Sequence, residues 1–332
     1  MDKTIKVGLL GCGTVGGGVL LVLQKNKEII AKKTGCPIEI KTVLVRDKQK
    51  LKPEIKKFKI PVTEDPETIF NDPEIDVVVE LIGRVHPAKE YIEAALRKGK
   101  SVVTANKDVL AEYGDELFAL AAEKKVDFQF EGAVGGGIPI IRPLRSCLAA
   151  NQISGIMGIV NGTTNYMLTR MSQEGLAYAD ALAEAQAKGY AEADPTADVE
   201  GLDAARKIAV LASLAFNTRL TLQDVHVEGI DNLDACDVAY ADDLGYAVKL
   251  LGIAKKHPEY GISANVYPVM LPKDHPLASV NDVYNAVFVN GDAVGDAMFL
   301  GRGAGRMPTA SAVCGDLIDT ARNILALSLI HI

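Results

Sequence analysis

The first part of the chain alternates between two periodicities. Residues 5–10, IKVGLL, are a short run of aliphatic and β-branched side chains. A glycine-rich break follows, and VLLVLQKNKEII then places apolar residues at helical spacing. The same order returns along the chain. IEIKTVLV (38–45) reads as a second strand, and IDVVVELIG (75–83) as a near-continuous apolar strand of the buried parallel kind. HPAKEYIEAALRKGK is an amphipathic helix. SVVTANK (101–107) is a further strand ending on a polar tip, and VDFQF (126–130) precedes the glycine-rich EGAVGGGIPI. Strands alternating with helices predict an α/β fold with a doubly wound parallel sheet, whose ligands lie beyond the carboxyl ends of the strands.

The pattern then changes. ISGIMGIV (153–160) reads as a strand and NGTTNYML opens a helix, with Thr163 or Thr164 as the expected N-cap. YADALAEAQAKG is an alanine-rich helix that Asp194-Pro195 is expected to end, and AARKIAVLASLAF is a second amphipathic helix that Asp198 is placed to cap. Alternating stretches in 262–290, such as ISANVYPVML and NAVFVNG, predict antiparallel strands, a few of them on one side of several helices in an α+β layer. GRGAGRMPTASAVCGDLIDTARN reads as a glycine loop followed by a helix with Pro308 near its first turn, expected to fold back onto the first domain.

Composition bounds the function. The chain has 332 residues, 48% hydrophobic, enough for two domains. Its 36 Lys+Arg against 43 Asp+Glu leave a net charge of -7, which argues against nucleic acid or a membrane as the main partner. No apolar run approaches the roughly 20 residues that span a bilayer, and the N-terminus passes into a strand without a secretory or transit pattern. The five cysteines are scattered without a CxxC pair, which fits a cytoplasmic location and argues against structural zinc.

Directly after the first strand stand Gly11-Cys12-Gly13-Thr14-Val15-Gly16, a GxGxxG between strand and helix. In that context the motif predicts dinucleotide binding: a tight turn at the first glycine, backbone approach to a pyrophosphate at the second, helix-on-strand packing at the third. The expected fold is therefore a Rossmann-type doubly wound sheet plus an α+β substrate and dimerisation domain. The nucleotide domain is placed at 1–136, completed by a returning helix at about 304–325, and the second domain at 137–303. The second strand ends on Arg46, a residue suited to the 2′-phosphate of NADP, while Asp47 beside it keeps NAD open. Lys107 stands at a strand end, where an amine reaches a nicotinamide edge and a substrate carbonyl.

One stretch is dense in acids. KGYAEADPTADVEGLDAARK (188–207) carries Glu192, Asp194, Asp198, Glu200 and Asp203 and closes on Lys207. On spacing alone Asp203 and Lys207 share a helix face as an exposed pair worth about 0.3–0.5 kcal/mol.

From Ala185 to Lys207 this stretch resembles the signature of homoserine dehydrogenases, with Ala185, Gly189, Tyr190, Glu192, Asp194, Pro195, Asp198, Gly201, Asp203 and Lys207 all in place. The resemblance extends through GCGTVGGGV, VVELIG, VVTANK, EGAVGGGIPII, NGTTNYML and GRGAGRMPTASAV, nearly the whole chain. It implies reversible NAD(P)H-dependent reduction of L-aspartate 4-semialdehyde to L-homoserine, in threonine and methionine biosynthesis, by a homodimer. By resemblance, Lys207 is the proton donor, with Lys107 able to polarise or protonate the same oxygen; the sequence does not rank them. Asp203 would orient the substrate or Lys207, and Glu192 would receive the substrate's ammonium or hydroxyl, with Asp198, Gly162 and Thr163 also at the substrate. Thr104, Gly189 and Gly303 would approach the cofactor. The resemblance further implies a sodium ion held mostly by backbone oxygens near Glu131, Val134, Gly136 and Ile138.

Two departures stand out. Arg84 follows ELIG where a glycine is more usual, and NILALSLIHI carries no βαββαβ pattern of a threonine-sensing ACT domain. No such domain is expected in this chain, and activity is expected to be insensitive to threonine. Two rivals stay open at this point: another two-domain NAD(P) oxidoreductase of small carbonyls, and a non-enzymatic NADP sensor.

Overall fold

The computed structural model describes residues 3–50 and 52–330; Met1, Asp2, Leu51, His331 and Ile332 lie outside the described residues. The chain forms two compact units. One joins the residues up to Gly137 with those from Gly305 onward, and the other is Ile138–Ala304.

The first unit is built on β1 (Ile5–Leu10), β2 (Ile38–Leu44), β3 (Val62–Thr63), β4 (Val77–Glu80), β5 (Ser101–Thr104) and β6 (Phe128–Gln129), in the order β3-β2-β1-β4-β5-β6. Every pairing in this sheet is parallel. Residues of β4 and β5 are buried throughout, because helices cover both faces and leave no solvent side to demand a polar alternation. β4 and β5 are shorter than the apolar runs predicted. Glu80 accepts the N–H of Ile82 and Gly83, turning the chain away from the sheet, and Asn106 caps the helix Lys107–Lys124. The helix Arg306–Ile330 packs on the helix Thr14–Lys25, and Ala310, Val313 and Leu317 enter the same buried core as Val7, Leu9, Val19 and Val77. Its buried Asp316 carboxylate accepts the N–H of Glu131 at 2.8 Å.

The second unit carries β7 (Ile153–Ile159), β8 (His226–Val227), β9 (Tyr246–His257), β10 (Gly261–Pro272), β11 (Tyr284–Gly291) and β12 (Gly295–Arg302), ordered β12-β11-β7-β9-β10-β8. Its pairings are antiparallel except β8 with β10. The alternating stretches supply β10 and β11. The sequence reading has no counterpart to β9, whose middle is buried without alternation, so periodicity alone does not mark it as a strand. Helices Gly162–Glu174 and Leu202–Phe216 pack on β7 and β9 or their neighbours, over a core that includes Ile159, Leu251, Leu271 and Phe288.

Two helix boundaries differ from expectation. The helix Tyr178–Ala187 closes at Lys188 and Gly189, the latter at φ 73°, well before Asp194-Pro195. A left-handed glycine ends a helix by itself, and Pro195 instead precedes the short turn Thr196–Val199. Asp198 lies inside that turn and caps nothing; the helix Leu202–Phe216 starts from Gly201 at φ 83°.

Candidate active site

In the first unit the glycine turn has the form that a dinucleotide needs. Gly11 lies at φ 91°, and a Cβ on Gly16 would stand 2.3 Å from the Gly11 carbonyl oxygen, so both positions require glycine. Before Gly13 the opposite holds: nothing lies within 4 Å of a built Cβ, which leaves an open cradle. Gly13 is also the N-cap of Thr14–Lys25 and offers no side-chain bond to that helix. The first-turn N–H groups beside Thr14 and Val15 are thereby left to a ligand, and the positive end of the helix favours a phosphate there. Burial pushes the Cys12 thiol up to about 11, against the pull of Arg306 and Lys52, so Cys12 is no nucleophile.

The carboxyl ends of β4 and β5 are tied together. Thr104 is fully buried, and its hydroxyl donates to Glu80 at 2.6 Å while accepting the Asn106 N–H at 3.0 Å. Burial raises the Glu80 carboxyl above its usual range, and the bonds from Thr104, Ile82 and Gly83 act against that rise. Asn106 donates to the Arg84 carbonyl at 2.7 Å. Arg84 lies at φ 63°, the left-handed conformation that explains why glycine is the expected residue there. Half-buried Lys107 is the first residue of its helix, directly beyond this tied end. Arg46 follows β2 by two positions, is exposed, and makes no ion pair among the described residues; Asp47 accepts the Gln49 N–H at 2.8 Å and faces Lys50 at 3.5 Å.

In the second unit the acids and Lys207 form a single hydrogen-bonded chain at the carboxyl end of β7. Lys207 Nζ donates to Asp203 Oδ2 at 2.6 Å and to the Val160 carbonyl at 2.7 Å. The pair is not the exposed bridge expected from spacing, since the two side chains are only 12% and 11% exposed. Asn161 Nδ2 donates both its hydrogens, to Asp203 Oδ2 at 2.9 Å and to Asp198 Oδ1 at 2.7 Å. Its Oδ1 accepts the Thr164 N–H at 2.8 Å, so Asn161, and neither Thr163 nor Thr164, is the N-cap of Gly162–Glu174. Burial raises the Asp198 carboxyl, the Asn161 bond lowers it, and the neighbouring Asp203 charge raises it again.

Thr163 is buried and donates to the Tyr190 carbonyl at 2.7 Å. Tyr166 donates to Glu184 at 2.6 Å and accepts from Lys188 at 2.7 Å, which fastens the turn after Gly189 to the helix Gly162–Glu174. Glu192 rides on this turn with its carboxylate exposed. Asp194 accepts the Thr196 N–H and Glu200 is exposed, a turn and a surface charge. Gly303 is buried where a Cβ would stand 2.0 Å from Asn285, so packing alone accounts for a glycine there. Glu131 and Val134 are buried and Gly136 lies at φ 52°, on the segment that runs on to buried Ile138.

Asn161 and Glu80 are absent from the sequence-derived candidates. Both carry a readable signal: an asparagine between a strand and a helix, and a lone acid ending an apolar strand.

Comparison with known proteins identifies the family. Residues 11–131 match the family model "Homoserine dehydrogenase, NAD binding domain" and residues 139–318 match "Homoserine dehydrogenase". The chain is 49% identical over 322 residues to the homoserine dehydrogenase of Bacillus subtilis, covering 97% of this chain and 74% of that protein. It superposes on the crystal structure of a homoserine dehydrogenase from Thiobacillus denitrificans with a TM-score of 0.95 at 49% identity, covering 98% and 75% of the two chains. A hyperthermophilic archaeal homoserine dehydrogenase solved in complex with NADPH matches with a TM-score of 0.81 at 28% identity, over 96% of this chain and 98% of that one. With an uncapped glycine-turn helix in one unit and a buried lysine–carboxylate chain in the other, the protein belongs to the homoserine dehydrogenase family of NAD(P)-dependent oxidoreductases.

Proposed function

We propose that Lys207 supplies the proton in the family's reaction, the reduction of L-aspartate 4-semialdehyde to L-homoserine. The observation that carries this reading is the buried Lys207–Asp203 pair, with Asn161 holding Asp203 from its other side. NAD(P)H, when bound, supplies hydride to the aldehyde carbon. The carbonyl oxygen then gains negative charge, and an ammonium group held in place stabilises that charge and protonates it. Asp203 fixes Lys207 at one point rather than leaving it to sweep its rotamers, and the Val160 carbonyl fixes a second N–H. In the reverse direction the same amine accepts the hydroxyl proton of homoserine, so oxidation is faster at alkaline pH.

The substrate's charged ends have matching groups in the second unit. Gly162 and Thr163 are the first residues of the helix Gly162–Glu174, whose first-turn N–H groups suit the α-carboxylate. The exposed Glu192 carboxylate suits the α-ammonium group, with Asp198 beside the cluster. Lys107, at the end of β5, is the second candidate for work on the carbonyl oxygen. Gly189 and Gly303 are the cofactor-side glycines of this reading, and Thr104 serves it by tying the strand ends through Glu80.

NADP is the proposed cofactor, since the Arg46 guanidinium is exposed beyond β2 while Asp47 is drawn into its own turn. A sodium ion fits the segment 131–138. Gly135 and Gly136 are consecutive residues at positive φ in a tight turn, and a hard cation takes the backbone oxygens such a turn offers. Glu131, Val134, Gly136 and Ile138 would hold it. A homodimer through the second unit is supported by exposed Met270, Met298 and Leu300 on its sheet. A cytoplasmic site fits the free thiols of all five cysteines.

Steady-state kinetics with homoserine and each of NADP and NAD tests the reading, together with Lys207→Met and Lys107→Met. Loss of the acid lowers kcat by roughly 10²- to 10⁴-fold. Full activity of Lys207→Met refutes the assignment, and a deficit confined to Lys107→Met transfers the role to Lys107.

A further inference from the structure

The glycine motif continues past its third member, as Gly16-Gly17-Gly18, and the dinucleotide fingerprint has no use for the last two. Glycine inside a helix costs about 1 kcal/mol relative to alanine. Arg306 approaches both positions, beside Ile55 Cδ1 at 3.0 Å from a Cβ on Gly17 and Ala310 Cβ at 2.9 Å from one on Gly18. A Cβ on Gly17 would stand 3.2 Å from Arg306 Nη2, and one on Gly18 would stand 2.5 Å from its carbonyl oxygen and 3.1 Å from its Cγ. A guanidinium is thus laid along the first turns of the helix Thr14–Lys25, where the helix end is already positive. For stability alone that is the wrong place for a cation. Nη2 is partnered by Glu54 Oε1 at 2.9 Å, and Nε is buried with no hydrogen-bond partner among the described residues. Arg306 and Lys52 both act electrostatically on Cys12, within the glycine turn itself.

We infer that Arg306 is a binding residue for the phosphate groups of the dinucleotide, and that Glu54 is the acid a phosphate displaces from it. The inference rests on the NAD(P) reading of this unit. An anion at the glycine turn resolves each local conflict at once: it compensates the helix end and the guanidinium together, and it offers acceptors to a fork of N–H donors of which one has none. The segment carrying Lys52 and Glu54 follows β2, on the adenosine side of such a fold, so the pyrophosphate and the 2′-phosphate are both within the chemistry described.

The test is titration of the enzyme with NADPH and with NADH, followed by the fluorescence of the bound nicotinamide, for wild type, Arg306→Met, Arg306→Lys and Glu54→Gln. Arg306→Met is expected to weaken binding about ten-fold and Arg306→Lys by much less, whereas Glu54→Gln tightens it by about two- to five-fold. A loss shared by both cofactors assigns the pyrophosphate; a loss confined to NADPH assigns the 2′-phosphate. Thermal melting checks that each variant is folded. If Glu54→Gln weakens binding together with Arg306→Met, the pair is only a structural bridge and the inference falls, as it does if neither variant shifts affinity. If wild type binds neither dinucleotide, the cofactor reading fails as well.

Discussion

Replacing Asn161 by Asp exchanges one NH₂ for one oxygen, between two carboxylates. Asp and Asn are equally good N-caps, so the Thr164 N–H keeps its acceptor and the helix start is not disturbed. The change is electrostatic. Asn161 Nδ2 lies 2.7 Å from Asp198 and 2.9 Å from Asp203, and an oxygen there meets two like charges. At an effective dielectric of about 20, each such pair repels by roughly 6 kcal/mol. Lys207 offsets part of this, and the remainder is limited by proton uptake on one carboxyl. From an ordinary value near 3.9, that uptake costs about 4 kcal/mol at pH 7 and about 1.5 kcal/mol at pH 5. The sign follows. A carboxyl whose folded pKa is raised keeps its proton where the unfolded chain has released it, so stability falls as pH rises above about 4. For a domain of this size the melting temperature should drop by roughly 8–15 °C at pH 7 and by only about 3–6 °C at pH 5. Thermal unfolding of wild type and Asn161→Asp across pH 5–7.5 measures the difference. An equal deficit at both ends of that range would refute the proposed coupling of the three acidic positions.

Two further outcomes are expected. Gly13→Ala puts a methyl into the open cradle, where no atom lies within 4 Å; melting should move by no more than about 3 °C while NADPH binding is lost, and retained binding would count against the cradle. Burial holds the Lys249 amine down to about 8, beneath bonds to Asn165, Val280 and Asn281. Because the folded chain loses this proton before the unfolded one, wild type should gain stability relative to Lys249→Met as pH rises from about 8 toward 10, by at most about 1.4 kcal/mol per pH unit, and a constant gap between the two melting curves would contradict it.

Most of the parallel sheet is legible in the sequence because β1, β4 and β5 are apolar on both faces and the glycine turn is punctuated by residues with one conformational reason each, whereas the two-residue β3 has no counterpart in the sequence reading. IKVGLL coincides with β1 to the residue. What sequence hides is what pairing decides. β9 is a strand because β7 and β10 flank it, and its letters alone suit a buried helix equally well. The candidate site divides in the same way. Lys207 and Asp203 are visible as a pair four apart, yet their burial and the part of Asn161 come from β7 ending beside the helix Leu202–Phe216, a contact between segments distant in sequence. Helix ends differ from expectation where a nearby Pro or acid gives the louder signal beside a quieter glycine, as at Gly189 and Gly201, because a left-handed glycine stops or starts a helix without any side chain to announce it.

The first unit is discontinuous in sequence, and Asp316 closes it by taking the N–H of Glu131 from the far side of the insertion. During synthesis Ile138–Ala304 is therefore made in full before Arg306–Ile330 exists. Throughout that time the nucleotide sheet exposes the surface meant for Ala310, Val313 and Leu317. The half of the protein that begins first is the half that must wait, and in the interval it offers chaperones a long apolar seam.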